Sequence, residues 1–373
     1  MSVIYIKYRL LLTKAQETAL CATFAVCRDV YNSMVIERTA IYETEKKSVS
    51  LYDQIPRLAQ WKKSHPELKE VHSQVLQNVA VRVELAFQAF FRRIKSGEKA
   101  GYPRLKGRGV YDSITFPQLQ TGGCKLIGST LQISKIGQVK AIVHRPLTGT
   151  PKTCTVRRLA GKWFACFCCE YTPEPLPESF DGIGVDVGLN QFAALSNGTF
   201  AENPRFFRRD EKALAKAARK QSRTTKGGKL RRKANKVLSR IHERIRNRRH
   251  DFVHQFARRL VNQYGLIAVE KLNVKGMAQN HCLSKSISDA SWSMFRTVLS
   301  QKAESAARII AEIDPAYTSQ DCHKCGNRAK KKLSERWHHC PICGASLDRD
   351  TNAAINILNK AAMGTHSVVA IAA

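Results

Sequence analysis

The stretch Gly182-Ile-Gly-Val-Asp-Val-Gly-Leu-Asn-Gln-Phe-Ala-Ala-Leu-Ser-Asn197 constrains the fold of this chain more than any other. Its opening residues read as a short apolar strand, yet position 186 holds an aspartate where an apolar side chain belongs. Asn190 to Leu195 resumes the extended pattern, and Asn197-Gly198 is a hairpin turn pair. A lone ionised carboxylate in a strand covered on both faces is either strongly destabilising or driven to neutrality. Asp186 should therefore face a site, with a metal ion as its natural companion. The alternative is an aspartate at a strand end, bonded to backbone amides.

A chain of 373 residues has room for two or three domains. Its 62 Lys and Arg against 30 Asp and Glu give a net charge of +32, which calls for a polyanionic partner, nucleic acid by default. A membrane surface is the competing polyanion, but the sequence has no apolar run of transmembrane length and no opening signal peptide. We therefore expect a cytosolic protein, at the nucleoid, with no membrane partner. Of twelve cysteines only four have regular spacing, which favours metal or thiol chemistry over disulfides. Cys166, Cys168 and Cys169 sit in a continuous apolar strand and read as small buried hydrophobes.

Residues 3–12 read as a strand, and Thr13 as the cap of the helix that follows. The pattern stays helical to about Ser96, most clearly where Val75, Val79, Val83 and Phe87 recur at four-residue steps. From Ser113 to Tyr171 it changes to short strands: 114–116, 126–133, 139–143, 154–159 and 163–171. These fit a small antiparallel barrel that the first strand joins, the helical block being an insertion. Residues 172–180 are proline-rich and acidic and read as a linker. Arg205 to Arg249 then holds nineteen basic residues and three acids, half of the net charge. Gly227-Gly228 divides it into a short helix and a long one, the latter with a stripe of Leu230, Ala234, Val237, Ile241, Ile245, Phe252, Phe256 and Leu260. The other faces present cations to phosphates. A second buried strand ends in Glu270, and 291–310 reads as a helix entering a third.

Cys322-His-Lys-Cys325 and Cys340-Pro-Ile-Cys343 are two knuckles, each followed by glycine. Each tight turn aims two sulfurs inward, so Cys322, Cys325, Cys340 and Cys343 supply four thiolates to a structural Zn²⁺ with no open position. Asp348-Arg-Asp350 then starts a helix, where acids alone would be caps. Asp186, Glu270 and an aspartate of that last helix form the carboxylate pattern of RNase H-like nucleases. Three converging acids repel and need a divalent cation, and hard oxygen ligands select Mg²⁺ or Mn²⁺. Two such ions support phosphodiester hydrolysis.

Gly-Val-Asp-Val-Gly-Leu, Val-Glu-Lys-Leu, Thr318-Ser-Gln-Asp-Cys-His-Lys-Cys-Gly326, Cys-Pro-Ile-Cys-Gly and Asp-Arg-Asp-Thr-Asn-Ala-Ala together resemble the RuvC and zinc-ribbon signature of TnpB. These transposon-encoded nucleases are similar to the compact type V CRISPR effectors. Tyr31-Asn32, Ser73-Gln74 through Phe91 and Tyr102-Pro-Arg-Leu-Lys106 are similar to weaker motifs of that family. The resemblance implies that Asp350, not Asp348, joins Asp186 and Glu270 as catalytic metal ligand. It implies a multidomain α/β fold: a wedge-type OB-like β-barrel (1–14 and 104–172), a helical recognition insertion (15–103), a linker (173–180), an RNase H-like RuvC domain (181–317 and 347–373) and a zinc ribbon that binds target nucleic acid (318–346). The implied activity is RNA-guided, Mg²⁺-dependent cleavage of double-stranded DNA beside a short transposon-associated motif, by a two-metal mechanism, in support of transposon maintenance. The guide RNA would come from the transposon end. Arg104, Lys106, Arg231, Arg232, Arg248 and Arg249 are the candidate nucleic-acid contacts. A nuclease-silent RNA-guided repressor and an RNase H-like transposase are the alternatives.

Overall fold

The computed structural model describes residues 2–119, 122–332, 335–364 and 366–368, the last three by their backbone alone. It divides into two compact units, Met1–Thr172 and Pro173–Ala373.

In the first unit β1 (Ser2–Leu11) leads into α1 (Lys14–Glu45). The Thr13 hydroxyl accepts from the Gln16 amide while the Gln16 side chain accepts from the Thr13 amide, a reciprocal cap. By length and composition α1 could pass for a membrane span. Leu20, Phe24, Cys27, Tyr31 and Met34 nevertheless form one buried stripe facing the core of this unit. α2 (Leu51–Ser64) and α3 (Ser73–Lys95) complete the helical block.

Strands β2 (Ser113–Phe116), β3 (Cys124–Ile127), β4 (Thr130–Ile133), β5 (Gly137–Ile142), β6 (Thr150–Leu159) and β7 (Lys162–Tyr171) join β1 in the antiparallel order β2-β6-β7-β1-β5-β4-β3. One expectation changes here. Segment 126–133 is not one strand, because Gly128, at φ +56°, turns the chain into the β3–β4 hairpin. The order of the described strands ends at β2 on one side and β3 on the other. One core, including Ile6, Tyr8, Leu76, Phe116 and Phe167, runs from the sheet into the helices. On β7 Cys169 is buried, but Cys166 and Cys168 are only partly so.

The second unit starts with the meander β8 (Gly182–Val187), β9 (Gln191–Leu195) and β10 (Phe200–Glu202). α4 (Phe206–Ser222) and α5 (Lys229–Gln263) follow. Then come β11 (Leu266–Glu270), the short helices α6 (Val274–Met277) and α7 (His281–Ala290), α8 (Trp292–Ser305) and β12 (Ile309–Ile313). A two-stranded ribbon, β13 (Trp337–His339) and β14 (Ser346–Asp348), precedes α9 (Arg349–Ala362) and β15 (His366–Val368). The main sheet has the order β10-β9-β8-β11-β12-β15, with β8, β11 and β12 parallel.

Three details depart from the sequence reading. The stripe on α5 is buried unevenly: Leu230 and Val237 are exposed on either side of the buried Ala234, while Ile245, Val253, Phe256, Ala257 and Leu260 are buried. The proline-rich segment after residue 172 is pinned along the second unit, where Pro177 O accepts from Arg308 Nη2 at 2.7 Å and Leu176 N donates to Ala306 O. The tail, to which the sequence gives no role, supplies β15, which pairs antiparallel with the outer edge of β12.

Candidate active site and metal centre

Asp186 and Glu270 come together through strand register. Parallel pairing sets Gly184 beside Ala268 and Val185 beside Val269, so the next step brings Asp186 and Glu270 to the carboxyl ends of neighbouring strands. In open α/β sheets that end is where sites form. The third acid arrives by helix packing. A Cβ built on Gly182 would touch Leu358, and one built on Gly184 would lie 1.9 Å from Ala354 O. α9 therefore runs antiparallel to β8 and rests directly on its glycines. Two residues further along the strand is a rise of about 6.7 Å, and four residues back along the helix is about 6 Å. Those steps lead from the Gly184–Ala354 contact to Asp186 on one element and Asp350 on the other.

The charges behave accordingly. Burial raises the Asp186 pKa well above the ordinary aspartate value, and the negative charges of Glu270 and Asp350 raise it further, with only Arg349 opposing among the major neighbours. Burial raises Glu270 too, against the Thr318 hydroxyl and Lys360. Thr318 Oγ1 donates to Glu270 Oε1 at 2.6 Å. Asp350 is gripped by Arg349 at 3.1 Å, and Arg336 lies 3.7 Å away. Asp348 instead caps α9, accepting from the amides of Asp350 and Thr351. Its cap role leaves Asp350 as the acid of this pair that reaches the cluster. Hard carboxylate oxygens whose like charges repel are the donor set a Mg²⁺ or Mn²⁺ ion fits.

The ribbon gathers its sulfurs more tightly. Cys322, Cys325, Cys340 and Cys343 have Sγ atoms all within 4.8 Å of one another, the one such cluster of His, Cys and carboxylate ligands among the described residues. Cys322 to Cys343 is 3.6 Å and Cys325 to Cys340 is 3.5 Å. The edge of a tetrahedron with Zn–S bonds of ~2.3 Å is about 3.8 Å, so the four thiols fit zinc. The amide of Cys343, and then that of Ile342, hold the Cys340 thiol down to about 6, while the crowded sulfurs of Cys343, Cys340 and Cys322 help push Cys325 up to about 12, a repulsion among thiolates that a cation would relieve. His323 is not a ligand of this set; its ring and amide face Asn352 Oδ1.

Residues 166–281 match the family model described as a probable transposase, residues 292–357 the Cas12f1-like TNB domain, and residues 1–47 a helix-turn-helix domain. A protein of Streptomyces pristinaespiralis provisionally named RNA-guided DNA endonuclease is 36% identical, over 94% of this chain and 88% of its own length. The chain belongs to the TnpB family. A second TnpB relative, the Escherichia coli K12 protein InsQ, provisionally named RNA-guided DNA endonuclease as well, is 30% identical over 92% of this chain and 88% of its own. Among solved structures, Cas12f1 with single guide RNA and target DNA superposes with a TM-score of 0.58 at 15% identity, covering 92% of this chain and 82% of that one. That likeness is one of fold. The helix-turn-helix description of residues 1–47 does not suit this TnpB chain, which has there a strand and one uninterrupted helix.

The basic residues of this TnpB chain divide by their partners. Arg249 pairs with the buried Asp289 at 2.9 Å, and Asp289 also accepts from Phe207 N. Arg244 and Arg248 both reach Asp210, the latter at 3.5 Å. Arg231 donates to the carbonyls of Gln221 and Thr224 at the end of α4. These arginines staple α4, α5 and α7 together. Arg232 and Arg104 are exposed. Lys106 lies 5.4 Å above the Tyr31 ring, and its backbone is clamped by two hydrogen bonds to the Asn32 side chain, which joins two motifs 74 residues apart. Sequence reasoning missed Thr318 beside Glu270, and Asn352 and Asn356. Both asparagines face inward from α9 and donate to Asp321 O, at 2.8 and 2.7 Å. Two asparagines four apart amid Ala353, Ala354 and Ile357 are polar groups on a buried face, a signal legible in the pattern.

Proposed function

We propose that this protein is an RNA-guided DNA endonuclease whose RuvC-type site consists of Asp186, Glu270 and Asp350. The observation that carries the reading is the convergence of the three carboxylates at the carboxyl ends of β8 and β11 and the start of α9, with Asp186 destabilised by its neighbours. The partners are a guide RNA, transcribed from the transposon end, and double-stranded target DNA carrying a short adjacent motif. The first unit serves as wedge barrel (1–14 and 104–172) and recognition insertion (15–103); residues 181–317 and 347–373 form the nuclease domain, and 318–346 the zinc ribbon.

When bound, a pair of Mg²⁺ or Mn²⁺ ions supplies an activated water and charge relief at the leaving oxygen. Asp186 and Glu270 hold their side of the site from a rigid sheet edge, and Asp350 approaches from the helix. Arg349 and Arg336 orient Asp350 through their ion pairs with its carboxylate. Cys322, Cys325, Cys340 and Cys343 hold Zn²⁺, which fixes the ribbon. Sequence choice falls to base pairing with the guide, and exposed cations such as Arg232 and Arg104 contact phosphates. The protein works in the cytosol, at the nucleoid.

The test is to sequence the RNA that copurifies, then cut a plasmid carrying the matched target with and without Mg²⁺. Asp186→Ala should retain the RNA and lose cleavage. An intact plasmid with the parent protein would leave the repressor reading standing, and joined strands in place of cut ends would favour the transposase.

A further inference from the structure

Thr318 belongs neither to the three carboxylates nor to the four thiols, yet it holds one of them. We infer that Thr318 is a positioning residue for Glu270, and that the first zinc knuckle, through the Thr318–His323 loop it anchors, sets the geometry of the divalent-metal site. This rests on the reading that the three carboxylates bind metal.

Three contacts tie the parts together. The Thr318 side chain, in a residue only 3% exposed, donates to Glu270 Oε1 at 2.6 Å. Thr318 Oγ1 also lies 3.0 Å from Pro315 O, but an ionised carboxylate is the stronger acceptor, so the proton goes to Glu270. That bond occupies one oxygen and leaves Oε2 for a cation. Thr318 is itself fixed, because its carbonyl accepts from Asn356 Nδ2 at 2.9 Å. Asn352 and Asn356 both donate to Asp321 O, and Asn352 Oδ1 accepts from the His323 amide at 3.1 Å. Residue 322 between them is a zinc ligand, and the asparagines stand two and six residues beyond Asp350 on α9. A single buried hydrogen-bond network thus joins the sheet-borne Glu270, the helix bearing Asp350 and the Cys322 knuckle. Side chains that orient a metal ligand typically change metal affinity by about 10–100-fold when removed.

The experiment measures Mn²⁺ binding directly, from the loss of the free-ion electron paramagnetic resonance signal, on the zinc-loaded full chain. Thr318→Val keeps the side-chain shape and removes the donor. It should weaken the Mn²⁺ binding that Asp186→Ala abolishes by about 10–100-fold, with zinc content equal to the parent's. Thr318→Ser, which restores a hydroxyl, should return the affinity to the parent's value. Should valine lower the zinc content, Thr318→Ala, which adds no volume, takes its place with the same expectation. Parent-like Mn²⁺ affinity in the hydroxyl-free variant, with Asp186→Ala still defective, overturns the role of Thr318 alone. Parent-like binding in Asp186→Ala overturns instead the carboxylate site on which the inference rests.

Discussion

Replacing Gly184 with alanine tests how the third carboxylate reaches the other two. A Cβ there would sit 1.9 Å from Ala354 O, and ordinary contact begins at 3.4 Å, so α9 must retreat from β8 by roughly 1.5 Å. The atom it meets is backbone, and no rotamer change relieves the clash. Overpacking of this kind costs about 1–3 kcal/mol. In a unit of this size each kcal/mol lowers the melting midpoint by roughly 2–4 °C, so the protein stays folded at assay temperature. The retreat carries Asp350 away from Asp186, and a misplacement of about 1 Å in a catalytic group lowers rate on the order of 10²-fold. Single-turnover cleavage of a matched plasmid at saturating guide RNA should therefore fall on the order of 10²-fold, with zinc content and RNA retention unchanged. Parent-like cleavage by Gly184→Ala would refute the argument that direct contact of α9 with the β8 glycines sets the site.

Cys340→Ser should release zinc, measured by atomic absorption, and loosen the ribbon to proteolysis. Asp186 has a raised pKa in the folded chain, so its ionisation opposes folding once the pH exceeds the ordinary value of 3.8. In EDTA, Asp186→Asn should melt above the parent at neutral pH, with the gap closing as pH falls towards that value, by scanning fluorimetry; a pH-independent gap would contradict the burial and repulsion described. Arg249→Ala leaves the buried Asp289 without its cation and should cost about 3–5 kcal/mol by urea unfolding. Arg232→Ala should leave stability alone and reduce the salt slope of RNA binding by about 0.7.

The strand carrying Asp186, the strand closing on Glu270 and the paired knuckles were legible because each is a local pattern: an acid in an apolar run, or four cysteines at fixed spacing. The helix cap at Thr13 and the long basic helix were legible for the same reason. What the pattern could not supply was partner choice. Arg231, Arg232, Arg248 and Arg249 look alike in sequence, yet three of them meet carbonyls or buried acids whose positions depend on how α4, α5 and α7 pack. Thr318 lies 48 residues from Glu270, and nothing local announces their meeting. The exposed Leu230 and Val237 of the α5 stripe show the converse failure, since both keep helical spacing without being buried.

The resting place of α9 on β8 also has a consequence for synthesis. Asp186 and Glu270 leave the ribosome well before the helix that presents Asp350, and the ribbon cysteines emerge between them. On the proposed reading a nascent chain therefore lacks the third metal ligand until α9 docks, and the knuckles that brace that helix leave the exit tunnel before it. Chains broken off during translation would then keep the basic surface but lack the third carboxylate of the proposed site.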